Sequence, residues 1–295
     1  MQIGRVLLVL LGVLAIAACD SGGSSDGGPD DAGVNDGGNN DGGGTDGGVD
    51  AGTCTTQAPA NGPAFVGSIV FTESNLSTGV DYKVSAAFHP DYGGAAIASG
   101  CAGTAMGACC FVPHPPASCS TPPQVSAGTI TVFDSGSELG ALEYSSGYAG
   151  LDSLSQPAIR WSDGDTLKAA GGGGSIPNFS GQLVAPTALA SVTPAFSGTT
   201  TLSIAKGNDF TLRWQPTAGA GSVQLVLEDT ALDAITCAAP LTNGSLAVPG
   251  ALLNQLGSSG TASISTLSAL SVIAGNASVT IEALGPAQTA QTRYP

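Results

Sequence analysis

Cysteine is the residue type with the clearest chemical potential in this chain of 295 residues. Six of the seven cysteines lie beyond residue 50, and an even number outside the cytoplasm predicts up to three disulfides. Zinc is the alternative, with His114 as an extra ligand, but the cluster lacks the paired C-x2-C spacing of structural zinc sites. We therefore predict no metal site and these disulfide candidates: Cys54, Cys101, Cys109, Cys110, Cys119 and Cys237.

Two of these cysteines are neighbours in sequence, and one is distant from the rest. A ring between Cys109 and Cys110 strains the peptide, so we expect them to bond to different partners. Cys237 lies far from the cluster at 101–119. A bond between Cys237 and that cluster would link the two halves of the chain, although spacing alone leaves the connectivity open.

An indole and two carboxylates lie together in the segment Trp161-Ser162-Asp163-Gly164-Asp165. Such a group on one loop can bind a cation or a sugar ring, which makes Trp161, Asp163 and Asp165 a possible ligand loop. The alternative is a hairpin turn after a strand whose tryptophan fills the core. A glycosidase needs two carboxylates that converge across a cleft, and two residues on one turn do not show this.

No catalytic residue is predicted. The chain has two histidines, His89 and His114, and a serine hydrolase would need one of them beside a serine and a carboxylate such as Asp91 or Asp134. Both histidines precede prolines in segments typical of loops. We therefore expect that the protein is not an enzyme and has no cofactor.

The N-terminal 18 residues have the layout of a secretory signal peptide. Arg5 is followed by an apolar run from Val6 to Leu14, which is too short to span a bilayer as a mature helix. The next residues, Ile16-Ala17-Ala18-Cys19, resemble the lipobox of bacterial lipoproteins. The resemblance implies cleavage before Cys19 and acylation of its thiol, so that the protein is anchored to a lipid bilayer. The alternative is an ordinary signal peptide with an unrelated cysteine.

Residues 19–53 are predicted to form a disordered tether. Residues 20–53 contain thirteen glycines and eight aspartates but no basic residue, so they have almost no apolar surface to offset the entropy of ordering. Calcium binding is the alternative, but the fixed ligand spacing of calcium loops is absent. The whole chain has a formal charge of −15, and its few bases are scattered, which argues against nucleic acid as a partner.

Short stretches of period-two alternation after residue 54 predict an all-β fold, with one or two immunoglobulin-like antiparallel β-sandwiches. We place the first sandwich, with its cysteine cluster, at 54–188 and the second at 189–295, because the prolines of LVAPTALASVTP indicate a linker. One larger sandwich with interleaved strands is the alternative. A short helix is predicted in PGALLNQL, between Pro249 and Gly257. The residues expected to face inward are Tyr82, Val84, Ala86, Phe88, Ile130, Val132, Leu202, Ile204, Phe210, Leu212, Trp214, Val223, Leu225, Leu227, Val279, Ile281 and Ala283.

The chain as a whole resembles uncharacterised cell-envelope lipoproteins of the myxobacterial type. The resemblance is carried by the lipobox, the Gly/Asp-rich tether, the cysteine cluster and the segments RWSDGDTLKAAGGGGSIPNFSGQLVAP and ITCAAPLTNGSLAVPGALLNQL. It implies an exported, β-rich protein at the cell surface or in the periplasm, and it carries over no catalytic residue.

These features predict a membrane-anchored envelope lipoprotein whose β-sandwich head serves in binding, adhesion or a structural role. The expected partners are the lipid bilayer, through acylated Cys19, and an unknown protein or glycan ligand. The outer membrane or cell surface is the favoured location, while Asp20 directly after Cys19 indicates the inner membrane as the alternative. An exported hydrolase with a site assembled from distant loops is the alternative function.

Overall fold

A computed structural model describes residues 63–76, 79–91, 104–114, 123–196, 198, 201–217 and 221–295. The predicted signal peptide and tether lie outside these ranges, as do Cys19, Cys54, Cys101 and Cys119. The described residues form an all-β protein, which confirms the predicted fold class. The strands are β1 Phe65–Leu76, β2 Gly79–Pro90, β3 Thr104–Met106, β4 Cys109–Val112, β5 Thr129–Asp134, β6 Ser137–Leu142, β7 Leu151–Asp152, β8 Thr166–Gly172, β9 Phe179–Val184, β10 Thr201–Ser203, β11 Phe210–Arg213, β12 Ser222–Asp229, β13 Ala234–Pro240, β14 Ser245–Val248, β15 Ser259–Ala274, β16 Ala277–Leu284 and β17 Gln288–Arg293.

Alternation along the strands identified most of the inward faces correctly. In β12, Val223, Leu225 and Leu227 are fully buried, and the residues between them are partly exposed. The same alternation holds in β2 and β16. Two of the residues predicted to face inward, Tyr82 and Phe210, are only half-buried. The remaining ones are buried: Val84, Ala86, Phe88, Ile130, Val132, Leu202, Ile204, Leu212, Trp214, Val279, Ile281 and Ala283.

The predicted helix is present but shorter than expected. Helix α1 (Gly250–Leu253) begins directly after Pro249, as the position of that proline predicted. It ends four residues before Gly257, because the amides of Gln255 and Leu256 bond to carbonyls three residues back and tighten the last turn. A 3-10 turn at Leu241–Asn243 is the other helical element of the described chain.

The long strand β15 runs through the largest sheet and pairs with both β16 and β17. β15 pairs antiparallel with β17 over Ser259–Ile264 and with β16 over Leu267–Ala274. A two-residue turn that contains Gly275, at φ 59°, closes the hairpin of β15 and β16. Two pairings in this sheet are parallel rather than antiparallel. They join β1 to β16 and β10 to β17.

The first hydrophobic core lies between two sheets. A four-stranded sheet in the order β6-β5-β8-β9 packs over β1, β2, β16 and the second half of β15. Gly181 of β9 lies so close to this opposite layer that a Cβ atom there would come within 2.6 Å of Ile281 Cδ1. The two layers are therefore packed directly against each other at Gly181.

The second hydrophobic core lies under the other end of the large sheet. The two-stranded sheet of β11 and β14, together with α1, covers the inner faces of β12, β13 and the first half of β15. Trp214 is buried here, and its Nε1 atom donates a hydrogen bond to the Leu241 carbonyl at 2.9 Å. This core therefore has the layered arrangement of a β-sandwich, as the first one does.

The division predicted at 188/189 does not separate two independent sheets. The first core takes Ala274, Ala277 and Val279 from the C-terminal half, and the second core takes Cys109 and Phe111 from the N-terminal half. The strands of both predicted domains are interleaved in one eleven-stranded sheet. The linker composition at 186–194 gave no information about these exchanges, since strand partners distant in sequence leave no local signal.

Among the residues that the structure describes, none of the helices has the length and apolar character needed to cross a membrane.

Candidate functional site

The predicted ligand loop, Trp161 to Asp165, lies between β7 and β8, and its tryptophan belongs to the first core. Trp161 is 5% exposed. Its ring meets those of Phe71 and Tyr82 edge to face, with centroid distances of 5.6 and 4.8 Å. An indole packed in this way offers little open surface to a sugar ring. Trp161 therefore occupies the position expected of a core residue.

Asp163 and Asp165 bind backbone amides around the loop. Asp165 Oδ2 accepts a hydrogen bond from the Ser162 amide at 2.7 Å, and Asp163 Oδ2 accepts one from the Ala188 amide at 3.0 Å. Gly164, at φ 86°, makes the turn between them. Hydrogen bonds to a charged acceptor are stronger than neutral ones. Asp165 thus closes the turn within the loop, and Asp163 holds the loop against the segment that follows β9.

A surface cavity of about 330 Å³ lies next to this loop. It is lined by Val80 and Tyr82 of β2, by Ser153 and Leu154 after β7, and by Arg160. The side chains of Val80 and Leu154 are 44% and 68% exposed. Apolar surface therefore stands beside a phenol and a guanidinium, a combination that suits a ligand with both an apolar and a polar part.

A buried carboxylate fixes one wall of this cavity. Asp81 is 1% exposed; its Oδ1 atom accepts a hydrogen bond from Ser153 Oγ at 2.8 Å, and its Oδ2 atom lies 3.3 Å from Lys83 Nζ. Ser153 Oγ accepts a hydrogen bond from the Tyr82 amide at 2.9 Å. These bonds join β2 to the segment after β7, so the cavity residues on the two segments are held in register.

Charged groups of both signs surround the Tyr82 phenol. Burial raises the pKa of Tyr82, Glu73 raises it further, and Arg160 lowers it, while Asp163 adds a smaller increase. Burial, followed by repulsion from Asp163, also raises the pKa of the Glu73 carboxyl. The phenol therefore keeps its proton at neutral pH and can donate a hydrogen bond to a ligand.

The two histidines lie away from this cavity. His114 is exposed and its backbone amide donates a hydrogen bond to Asp233 Oδ1 at 2.8 Å, while His89 is half-buried in β2 opposite Val66. A histidine-type hydrolase needs one of them in a cleft with a serine and a carboxylate, and neither lines the cavity beside Tyr82. Across the described ranges, no three His, Cys, Asp or Glu side chains are grouped so that they could hold a metal ion.

Three of the six candidate cysteines that follow the tether are disulfide-bonded in the described part of the chain. Cys109 and Cys237 form a disulfide with an S–S distance of 2.04 Å, and they stand directly opposite each other on β4 and β13. Cys110 is also disulfide-bonded, to a different cysteine. The neighbouring cysteines therefore have different partners, and the bond from Cys237 links the two halves of the sequence. The candidates Cys54, Cys101 and Cys119, and the predicted lipidation site Cys19, lie outside the described residues.

Sequence reasoning found the loop but missed most of the cavity beside it. Tyr82 was assigned to the core by alternation, although it lies half-exposed at the sheet margin. Arg160 counted only as one of several scattered bases, and Leu154 lies in a segment without periodicity. The available signal was the position of Arg160 next to Trp161, because a base adjacent to a core residue near a sheet edge faces the surface.

No model of a known protein family matches the chain, and no curated protein matches it either. What the fold itself defines is an all-β protein with two β-sandwich cores that share one large sheet. The site adds a surface cavity with mixed polar and apolar walls.

Proposed function

We propose that this protein is a membrane-anchored envelope lipoprotein whose β-sandwich head is displayed for ligand binding and has no catalytic activity of its own. The Ile16–Cys19 segment supports the anchor, and the Gly/Asp-rich residues that follow it support a spacer between the bilayer and the head. The outer membrane or cell surface is the proposed location. A partner bound at the head is then held at a distance from the membrane.

The observation that carries the binding role is the cavity beside Tyr82. Its polar groups are already positioned by Asp81 and Ser153, so a ligand would meet a preformed surface rather than order a loose one. The exposed side chains of Val80 and Leu154 supply apolar contact, and Arg160 supplies a planar cation. The loop carboxylates are engaged by backbone amides, an arrangement typical of structural support rather than acid–base chemistry.

The anchor is tested by the intact mass of the protein extracted from its native membrane. We expect a chain that begins at Cys19 and carries the added mass of two or three acyl groups. A Cys19→Ala variant expressed in the same host is the matched control, and it should remain unacylated. An unacylated mature chain from the natural sequence would overturn the proposal of a lipid anchor.

The binding role is tested with isolated cell-wall sacculi of the producing bacterium freed of lipid, so that the acyl groups cannot account for sedimentation. We expect the full chain to sediment with them, and a Leu154→Asp/Arg160→Ala variant to sediment less. Val184→Asp is the control, because Val184 is 42% exposed on β9 and does not line the cavity. Equal sedimentation of the natural protein and the cavity variant would remove the cavity from the binding role.

A further inference from the structure

A second and larger groove lies on the other half of the molecule. It has a volume of about 450 Å³ and is formed where β12, β15, β17 and β10 meet the loop between β12 and β13. A volume of this size is within the range of small-ligand sites. None of its lining residues belongs to the cavity beside Tyr82. The two sites can therefore be altered independently.

Polar side chains form a row across the strands of this groove. Glu228 is opposite Thr261, Thr261 is opposite Gln291, and Gln291 is opposite Thr201. Residues that stand opposite each other point to the same face of a sheet, and neighbouring strands are about 4.8 Å apart. The row therefore extends over roughly 14 Å. Arg293 stands two residues from Gln291 on the same face of β17.

These side chains keep their hydrogen-bonding capacity. Within the described part of the chain, no hydrogen bond or ion pair engages the side chains of Glu228, Gln291 and Arg293. The carboxylate of Glu228 and the guanidinium of Arg293 line one groove without closing an ion pair across it. A polar ligand would satisfy groups that the fold leaves open.

The wall of the groove is held rigidly by Asp229. Its Oδ1 atom accepts hydrogen bonds from the amides of Ala231 at 2.7 Å and Asp233 at 3.1 Å, and its Oδ2 atom accepts one from Gly257 at 2.6 Å. These bonds hold Leu232 at φ 69°, a conformation that a branched residue rarely adopts, with half of its side chain exposed. The wall is thus shaped before any ligand arrives.

The chemistry of the lining defines the ligand class. The lining holds two carboxylates, Glu228 and Asp229, and one guanidinium, Arg293. Asp229 is buried and engaged by three backbone amides, so the charges open to a ligand are Glu228 and Arg293, which are opposite in sign. Leu232 is the large apolar side chain in the lining, which is too little apolar surface for a lipid or for a protein hot spot. A peptide strand would need an open sheet edge. β15 and β17 are paired on both sides here, and the edge strand β10, which pairs with β17 alone, has only three residues to offer. The remaining class is a chain of hydroxyl groups that both donate and accept hydrogen bonds.

We propose that this groove binds a neutral oligosaccharide lying along the row from Glu228 to Thr201. The guanidinium of Arg293 and the carboxylate of Glu228 are planar groups, and each can bind two adjacent hydroxyl groups of one sugar ring. Gln291 and the threonines donate to and accept from the rings between them. This inference rests on the proposed binding role of the head, but it does not depend on the lipid anchor or on the Tyr82 cavity.

The test measures binding of the full chain, purified in detergent, to short glucans, mannans and chitooligosaccharides on a glycan array and by calorimetry. We expect binding to at least one neutral oligosaccharide. We also expect Gln291→Ala and Arg293→Ala each to weaken it about tenfold or more, as loss of one or two hydrogen bonds requires. Thr289→Ala is the matched control, because Thr289 is exposed on the same strand and does not line the groove. Its affinity should be unchanged.

Two results would overturn the inference. One is the absence of binding to every oligosaccharide by a chain whose tryptophan fluorescence shows it to be folded. The other is binding that Gln291→Ala and Arg293→Ala leave intact. If Arg160→Ala abolishes that binding instead, the ligand belongs to the cavity beside Tyr82, and the proposed function survives while this inference fails. Peptide binding without glycan binding would likewise reject the groove as a saccharide site.

Discussion

The two cores of this molecule are stabilised by different means although they share a sheet. In the first core, aromatic rings pack between the layers, with Trp161 against Phe71 and Tyr82 at centroid distances of 5.6 and 4.8 Å. The second core also buries four aromatic residues, Phe111, Phe196, Trp214 and Tyr294, but among the residues that the structure describes their rings make no such contacts with one another. There a disulfide between Cys109 and Cys237 and the hydrogen bonds of Asp229 supplement the packing. Aromatic contacts are directional, whereas the second core contains a covalent link, and the polar links of Asp229 lie beside it.

The comparison shows that two unlike cores share the strands of one sheet. β15 contributes Ile264 to the second core and Ala274 to the first, so no strand boundary separates them. The chain has two tryptophans, one in each core, Trp161 and Trp214. Their fluorescence can therefore report the unfolding of each core separately, in Trp161→Phe and Trp214→Phe variants.

The largest effect is expected for Phe71→Ala. Phe71 is fully buried against Trp161, and removal of a buried phenylalanine costs about 3–5 kcal/mol. If the shared sheet couples the cores, Trp214 in the second core will report the same lowered urea midpoint as near-ultraviolet circular dichroism of the first. The control is Ile273→Ala, at a residue 72% exposed. An unchanged Trp214 transition in Phe71→Ala would show that the cores unfold independently.

Removal of the Cys109–Cys237 disulfide should have the next largest effect. The bond closes a loop across 128 residues, and loss of a native disulfide typically costs about 2–4 kcal/mol. A Cys109→Ala/Cys237→Ala variant is expected to lower the thermal midpoint, measured by calorimetry. Proteolysis should increase first in β3 and β4, because β4 is held to the sheet by four residue pairs and this bond. An unchanged midpoint together with unchanged proteolysis would contradict the proposed role of the disulfide.

Asp229→Ala should destabilise the second core by about 1–3 kcal/mol, because three backbone amides lose a charged acceptor. Asp229→Asn keeps one carbonyl oxygen and is expected to recover part of the loss. Urea unfolding followed through Trp214 gives both values. Equal loss in the two variants would mean that the negative charge, rather than the number of acceptors, stabilises the loop.

Alkaline pH should produce the smallest and most gradual effect. Burial raises the pKa of Tyr294 to about 12, whereas the pKa of a tyrosine in an unfolded chain is about 10. Below pH 10 the Tyr294 phenol is protonated in both the folded and the unfolded state, so its contribution to the free energy of unfolding is complete there. As the pH rises from about 10 to 12, the unfolded state loses a proton that the folded state keeps, so the free energy of unfolding falls. Tyr294→Phe should flatten this fall in urea titrations.

Part of the alkaline fall should persist in Tyr294→Phe. Burial is also the main cause of the raised pKa values of Tyr82 and Tyr148 in the first core. A triple variant with phenylalanine at all three positions would be expected to flatten the curve further. A slope unchanged in Tyr294→Phe would show that this phenol does not contribute to the pH dependence.

The alternation of apolar and polar residues predicted the strands in which it is strong. It did not predict the pairing of strands that are distant in sequence. The inward faces of β2, β12 and β16 follow from period two. The parallel pairing of β1 with β16 joins Phe65 to Ala277, and no local signal specifies it. β7 and β10 contain two and three residues, which is too short for a periodic pattern.

The candidate sites were predictable only in part, for the same reason. Residues in one loop, such as Asp163 and Asp165, are adjacent in sequence and could be identified together. The row from Glu228 to Thr201 depends on the register of four strands, and alternation alone gives the face of each residue but not its neighbour across the sheet.

The pairing of β1 with β16 has a consequence for the order of events during synthesis. The first core cannot be completed when β1 and β2 emerge from the ribosome, because the strand beside β1 ends at Leu284. Long-range pairing of this kind delays folding. For an exported chain, as proposed above, this delay keeps the polypeptide unfolded during translocation. Its hydrophobic faces then need the protection of chaperones until β16 arrives.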